Sequence, residues 1–149
     1  MINIEKQFYL TKAGLKKLFA EMSDLKAIRM QKILEPENDD EVNFIDFRLK
    51  EIDGVVKSHT LITAPLKENK DVVALGATVL LEVDGKEKNF TIVGSIEADP
   101  SLGLISNESP IGRALLGRKT GDSFGLKNNP KNVYKVKSIS YDLFKVREG

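Results

Sequence analysis

Residues 35–41 read Glu35-Pro36-Glu37-Asn38-Asp39-Asp40-Glu41. Five of these seven side chains are carboxylates, and no lysine or arginine falls between Ile33 and Phe47. An apolar pattern of helical period lies on each side. Upstream, Leu15, Leu18, Met22 and Leu25 step by 3, 4 and 3. Ile28 then drifts off the strict repeat, as a 3.6-residue period does. Downstream, Val42, Ile45, Leu49, Ile52, Val56 and His59 step by 3, 4, 3, 4 and 3, a heptad seam that ends on the lone histidine. Thr11 is the expected N-cap of the first helix. Pro36 cannot continue a helix and biases Glu35 away from the α region, so that helix should stop near Leu34. Asn38 or Asp39 would cap the second. Two limbs joined by a short turn pack antiparallel. The expectation is a helical hairpin with an acidic tip, a place from which carboxylates can be presented to a partner. Acidic residues also favour turns and helix N-termini, so a plain solvated turn accounts for the same composition. Gly54 lies off the seam, costs about 1 kcal/mol relative to alanine in a helix, and has no evident functional reason.

Composition narrows the rest. A chain of 149 residues, 41% hydrophobic and 30% charged, can form one domain or two small ones with a real core. The net charge is +1, from 23 bases and 22 acids. Split at Pro65, the first part has 10 bases against 11 acids and the second 13 against 11. Neither part has the basic excess of an autonomous nucleic-acid binder. The absence of cysteine removes disulfides and thiolate metal sites and fits a reducing compartment. No apolar run approaches a membrane span, and the opening MINIEKQFYL lacks a signal-peptide core. The chain reads as cytoplasmic, with no membrane partner.

Ala64 to Gly76 (APLKENKDVVALG) reads as a boundary: Pro65, a charged run, and a short apolar strand candidate, Val72–Leu75. After it the periodicity changes. Thr78–Val83 and Asn89–Gly94 are strand-like, and Asp84-Gly85 between them is a strong hairpin signal. Ser109-Pro110 reads as N-cap and first residue of a short helix ending at Gly117. Thr120-Gly121-Asp122 is a turn. Ser123–Lys127 and Val133–Tyr141 are the last strands, separated by the turn-rich NNPKN. The expected fold class is α+β: an N-terminal antiparallel hairpin over residues 1–65, a linker over 66–75, and an antiparallel sheet domain with one short helix over 76–149.

Residues that carry chemistry are few. One histidine and no cysteine argue against a catalytic triad, a zinc site or a thiol nucleophile. His59 on a helical seam reads as a packing residue more readily than as a ligand or base, and Ser58 beside it has no triad context. No Walker loop or dinucleotide glycine fingerprint occurs. The remaining route to catalysis is carboxylates acting on a metal held elsewhere, with no intrinsic metal site or cofactor of the chain's own.

Gly103 to Asp122 reads GLISNESPIGRALLGRKTGD. This resembles the signature of the C-terminal domain of bacterial GreA/GreB transcription elongation factors: Gly-Leu-Ile-Ser, Ser-Pro, Arg-Ala-Leu-Leu-Gly, Gly-Asp. The preceding FTIVGSIEADP fits too. LTKAGLKKLFAEMSDLK is similar to the opening of the Gre coiled coil, and FIDFRLKEIDGVVKSHTLI to its returning helix. The resemblance covers nearly the whole chain and implies an FKBP-like domain after an antiparallel coiled coil. It also implies that the C-terminal domain docks at the rim of the secondary channel of RNA polymerase through Glu108, Ser109 and Pro110, that the coiled coil enters the channel, and that tip carboxylates help place a second Mg2+ and a water for cleavage of backtracked RNA. Such a factor is accessory, the chemistry belonging to the polymerase site. DNA and RNA are met only through the elongation complex, and a monomer is expected.

In the family the tip has Asp, Glu three residues on, and Tyr four further. Here Glu37, Asp40 and Phe44 keep the spacing with the carboxylates exchanged and the phenol lost, and Asp39 and Glu41 are further tip candidates. Against the family pattern about eight residues are missing from each limb, which at about 1.5 Å per residue shortens each by roughly 12 Å. Equal loss preserves the pairing, but metal coordination tolerates only tenths of an ångström. The first reading is therefore a Gre-like regulator that binds polymerase without efficiently stimulating cleavage. A working cleavage factor, sharing Mg2+ with the polymerase, is the second. The third is an FKBP-like binding or prolyl-isomerase module unrelated to transcription, which the scarcity of aromatic residues disfavours.

Overall fold

The computed structural model describes residues 7–144. The chain divides into two compact units, Met1–Leu61 and Ile62–Gly149.

The first unit is a helical hairpin closed at its base. A short strand β1 (Phe8–Leu10) leads to Thr11, whose Oγ1 accepts the amide of Gly14 at 3.0 Å and so caps helix α1 (Lys12–Lys32). Arg29 and Lys32 in its last turn suit the negative end of the helix dipole. A 3-10 turn, Pro36–Asn38, leads into α2 (Asp39–Ser58), whose first turn carries Asp39, Asp40 and Glu41 at the positive end. The hairpin and its N-cap are as expected. Asn38 stands at the N-cap position of α2 but makes no capping bond there; its side-chain amide donates to Glu35 Oε2 at 2.5 Å instead.

Leu10, Leu18, Ile52 and Val55 form the buried core of this unit, flanked by Phe8, Leu15, Met22, Leu25 and Val56. Val55 escaped the heptad reading, which placed Val56 on the seam. Val55 and Val56 stand three and four residues after Ile52, so both fall on the core-facing side of α2. His59 is not a helical residue. Its backbone is extended and opens strand β2 (His59–Leu61), which pairs in parallel with β1, Phe8 opposite His59. The strand pairing takes over where the helical bonds end, and the ring's Nδ1 lies 2.7 Å from the Val56 carbonyl oxygen.

The second unit is a five-stranded sheet of order β5-β4-β3-β7-β6, from β3 (Thr78–Val83), β4 (Lys86–Val93), β5 (Leu104–Ser106), β6 (Ser123–Leu126) and β7 (Asn129–Ser140). The α+β class stands, but the sheet is mixed: β4 and β5 run parallel, the other neighbours antiparallel. A parallel partner needs a crossover, and here the stretch from Gly94 to Gly103 supplies it. Asp84 and Gly85 both have positive φ, +53° and +75°, the geometry of the favoured two-residue hairpin turn. Helix α3 (Pro110–Leu115) covers part of one sheet face. Val79, Leu81, Ile92, Leu115 and Val136 are the fully buried centre.

The segment 66–75, expected as a linker, is built into this unit. Val73 is buried in the core, donates its amide to Arg118 O and accepts from Gly117 N, both at 2.8 Å. The Tyr141 hydroxyl donates to Val72 O at 2.5 Å and accepts from Ala74 N at 2.9 Å. Val72 forms a single bridge to Lys119 and no strand. β7 begins at Asn129, four residues before the expected Val133, because the turn from β6 needs only Lys127 and Asn128. Pro130 is tolerated there since β3 joins β7 only from Tyr134 onward. Among the described residues, no helix is long and apolar enough to cross a membrane.

Candidate functional site

Two regions carry the residues singled out from the sequence. At the hairpin tip, Glu37 sits on the 3-10 turn and Asp39, Asp40 and Glu41 on the first turn of α2; all four are exposed. Glu41 pairs with Lys32, and about one turn down Arg29 Nε meets Asp46 Oδ1 at 2.5 Å, so the two bases nearest the tip are engaged across the limbs. The hydrogen bond it donates to Asp46 holds the Arg29 guanidinium above its ordinary pKa, and the one donated to Glu41 does the same for the Lys32 ammonium. The tip thus keeps a surplus of negative charge. Among the described residues, no three of the Asp, Glu and His side chains come together as a metal site would require.

The tip is also apolar, which the acidic reading missed. Met30, Leu34, Phe44 and Phe47 are 73%, 83%, 74% and 66% exposed. A shallow groove on one side of the hairpin runs over Leu25, Ile28, Phe44 and Ile45 and is bordered by Lys32, Asp40 and Glu41. The signal was present in the sequence: residues 33–47 hold six apolar side chains besides their acids, more than two seams can bury.

The second region is the loop before α3. Ser109 is the N-cap: its Oγ accepts the Gly112 amide at 3.1 Å and donates to Ser106 O at 2.7 Å. Pro110 is the first helical residue, as expected. Glu108 is exposed, yet it is held at both ends. Its amide donates to Ser106 Oγ at 3.0 Å, and Ser95 Oγ donates to its Oε2 at 3.0 Å. Ser95 and Ser106 also share a hydrogen bond of 2.9 Å. Gly112 is buried against this loop, where a Cβ would run into the Ser106 carbonyl oxygen. The positioning role of Ser95, Ser106 and Gly112 escaped the sequence reading, which saw only the Ser-Pro helix start. The arrangement fixes one carboxylate in one orientation on the surface, which suits recognition and not catalysis.

Residues 68–141 match the family described as "Transcription elongation factor, GreA/GreB, C-term". The chain is 51% identical over 79 residues to the transcription elongation factor GreA of Thermomicrobium roseum, a match that spans 53% of this chain and about half, 51%, of that protein. It is 39% identical over 137 positions to the GreA of Geobacillus kaustophilus, covering 79% of this chain and 86% of that protein. Since 79% of 149 residues is about 118, about 19 of those 137 positions have no counterpart here. A crystal structure of GreA factor homolog 1 (Gfh1) of Thermus thermophilus aligns over 91% of this chain and 99% of its own, at 24% identity and a TM-score of 0.43.

Proposed function

Since the chain belongs to the GreA/GreB family of transcription elongation factors, we propose that it binds RNA polymerase at the rim of the secondary channel and acts there without efficiently stimulating RNA cleavage. The carrying observation is the hairpin itself. Its limbs are 21 and 20 residues long, about 31 and 30 Å at the helical rise. About 19 alignment positions of the Geobacillus protein have no counterpart here, a deficit that a shortened hairpin would account for. If docking is that of the family, the tip stops short of the catalytic metal, and coordination at a distance is not available.

The tip has another use. Free carboxylates beside exposed Leu34, Phe44 and Phe47 make a surface that presses on basic, apolar elements inside the channel and obstructs it. Loop Glu108-Ser109-Pro110 supplies the docking contact. On this reading the protein is not an enzyme but an accessory regulator, and Mg2+ enters only if the tip is cleavage-competent.

The test is a gel assay on stalled, backtracked complexes of the cognate polymerase. Expected are binding and slowed synthesis with little cleavage above the polymerase's own rate. Robust cleavage that a single Glu37→Gln or Asp40→Asn abolishes would establish instead a working cleavage factor. Absence of binding removes the polymerase reading altogether.

A further inference from the structure

On the sheet of the second unit, Lys86 and Lys88 occupy positions that should face inward. Lys86 stands opposite Val83, and Lys88 opposite Leu81, which is fully buried. Tyr134 lies beside Val83 on the other side. These residues belong to the face that packs the core, yet both lysines are exposed. The face therefore runs out from under α3 at its β3–β4 end and is left open. There it forms a cleft of about 360 Å3, floored by Val83, Phe90, Ile111 and Tyr134 and rimmed by the two lysines. Among the described residues neither lysine makes an ion pair; one carboxylate, Asp84, also borders the cleft. The cleft has room for one large apolar side chain, not for a folded element.

Ile111 joins this cleft to the loop at Glu108-Ser109-Pro110, which it follows directly in α3. We infer that cleft and loop are one docking surface, and that the segment of the polymerase it takes carries an apolar side chain for the cleft, carboxylates facing Lys86 and Lys88, and a base facing Glu108. This rests on the proposed polymerase docking and names the partner's chemistry. A plainer account exists for the lysines. β5 pairs with β4 only at Thr91–Val93, so residues 86–90 form an open sheet edge, and lysines on an edge discourage self-association. That account does not explain an apolar floor.

The test uses the full chain. Lys86→Glu/Lys88→Glu alters only exposed side chains and should fold normally. Binding to core polymerase is measured by fluorescence anisotropy at two salt concentrations, with Glu108→Lys in parallel. Because the chain has no cysteine, Asn132→Cys in the cleft and Lys135→Cys on the opposite sheet face can each carry a photo-crosslinker. The proposal expects about tenfold weaker binding for the double lysine variant, with a shallower salt dependence, and crosslinks from position 132 but not 135. If Glu108→Lys weakens binding while the lysine variant binds normally and position 132 gives no crosslink, the cleft is not part of the interface, though docking through the loop stands. Self-association of the lysine variant with unchanged affinity leaves the edge-guarding account and also ends the proposal. If the unmodified protein does not bind polymerase, the underlying reading and this inference fall together.

Discussion

Arg48 reaches across the hairpin from α2 and grips Glu21 of α1 with both arms of its guanidinium, Nε to Oε2 at 2.7 Å and Nη2 to Oε1 at 2.9 Å. The pair lies between the apolar base and the ion-paired distal half, so it fixes the register of the limbs. The hydrogen bond from Arg48 holds the Glu21 carboxyl below its ordinary range. A depressed carboxyl contributes stability above its unfolded pKa, and the contribution fades as pH falls through the folded value. Both side chains are well over a third exposed, so a double-mutant cycle with Glu21→Gln and Arg48→Met should give a coupling of about 0.5–1 kcal/mol at neutral pH. That coupling should shrink below about pH 4. A coupling that persists in acid contradicts an ionic origin.

Gly54→Ala should stabilise the hairpin by about 1 kcal/mol. Gly54 is exposed in the interior of α2, and an added Cβ meets nothing within 4 Å. Thermal unfolding of the full chain checks this. Lower stability would mean that the glycine serves a conformational need the helix does not display.

Gly112→Ala should do the opposite. Its Cβ collides with the backbone oxygen of Ser106, and neither strand β5 nor the Ser109 cap can give way cheaply. We expect a loss of about 2–3 kcal/mol and weaker polymerase binding, because the loop holding Glu108 must move. Amide spectra of the variant should show the largest shifts at residues 106–112.

The Ile62–Gly149 fragment is proposed to fold alone, with a cooperative transition and dispersed amide resonances. Within it Tyr141→Phe removes the donor to Val72 O and the acceptor for Ala74 N, which costs about 1–3 kcal/mol. A fragment started at Val72 should be less stable than one started at Ile62, since Ile62 is itself buried. An unstructured Ile62 fragment would mean that the second unit is not autonomous.

Tip charge should act collectively. Neutralising Glu37, Asp39, Asp40 and Glu41 together should relieve inhibition of synthesis, whereas Glu37→Gln or Asp40→Asn alone should have only a partial effect. The inhibition should weaken with salt, because exposed charges are screened within about 8 Å at physiological ionic strength. Phe44→Ser should also weaken it, which a purely electrostatic tip would not predict.

Much of this was legible from local chemistry. Thr11, Asp84-Gly85 and Ser109-Pro110 each encode a cap or turn within a few residues, and each is found where expected. The acidic tract between two apolar periods fixed the hairpin for the same reason. What stayed hidden depends on distant partners. The three-residue strands β1, β2 and β5 are too short to show a period, and their pairing is parallel, with no connecting turn to announce it. The tie from Tyr141 to Val72 joins residues 69 apart in the chain, so the packed segment around Val73 read as a linker. At the candidate sites, the exposed carboxylates could be read from sequence. The serine network behind Glu108 and the open lysine-rimmed cleft could not, because both require knowing which strands lie side by side.

The hairpin's construction has a mechanical consequence. Its base is clamped by the β1–β2 ladder and by the packing of Leu10, Leu18, Ile52 and Val55, while its far end is held by ion pairs around Ile45. It is a cantilever, stiff at the root and compliant at the free end. The deflection of a cantilever under a given load rises with the cube of its length, so limbs of only 21 and 20 residues make a stiff arm. On the proposed reading, an arm this short and stiff is suited to holding a passage shut.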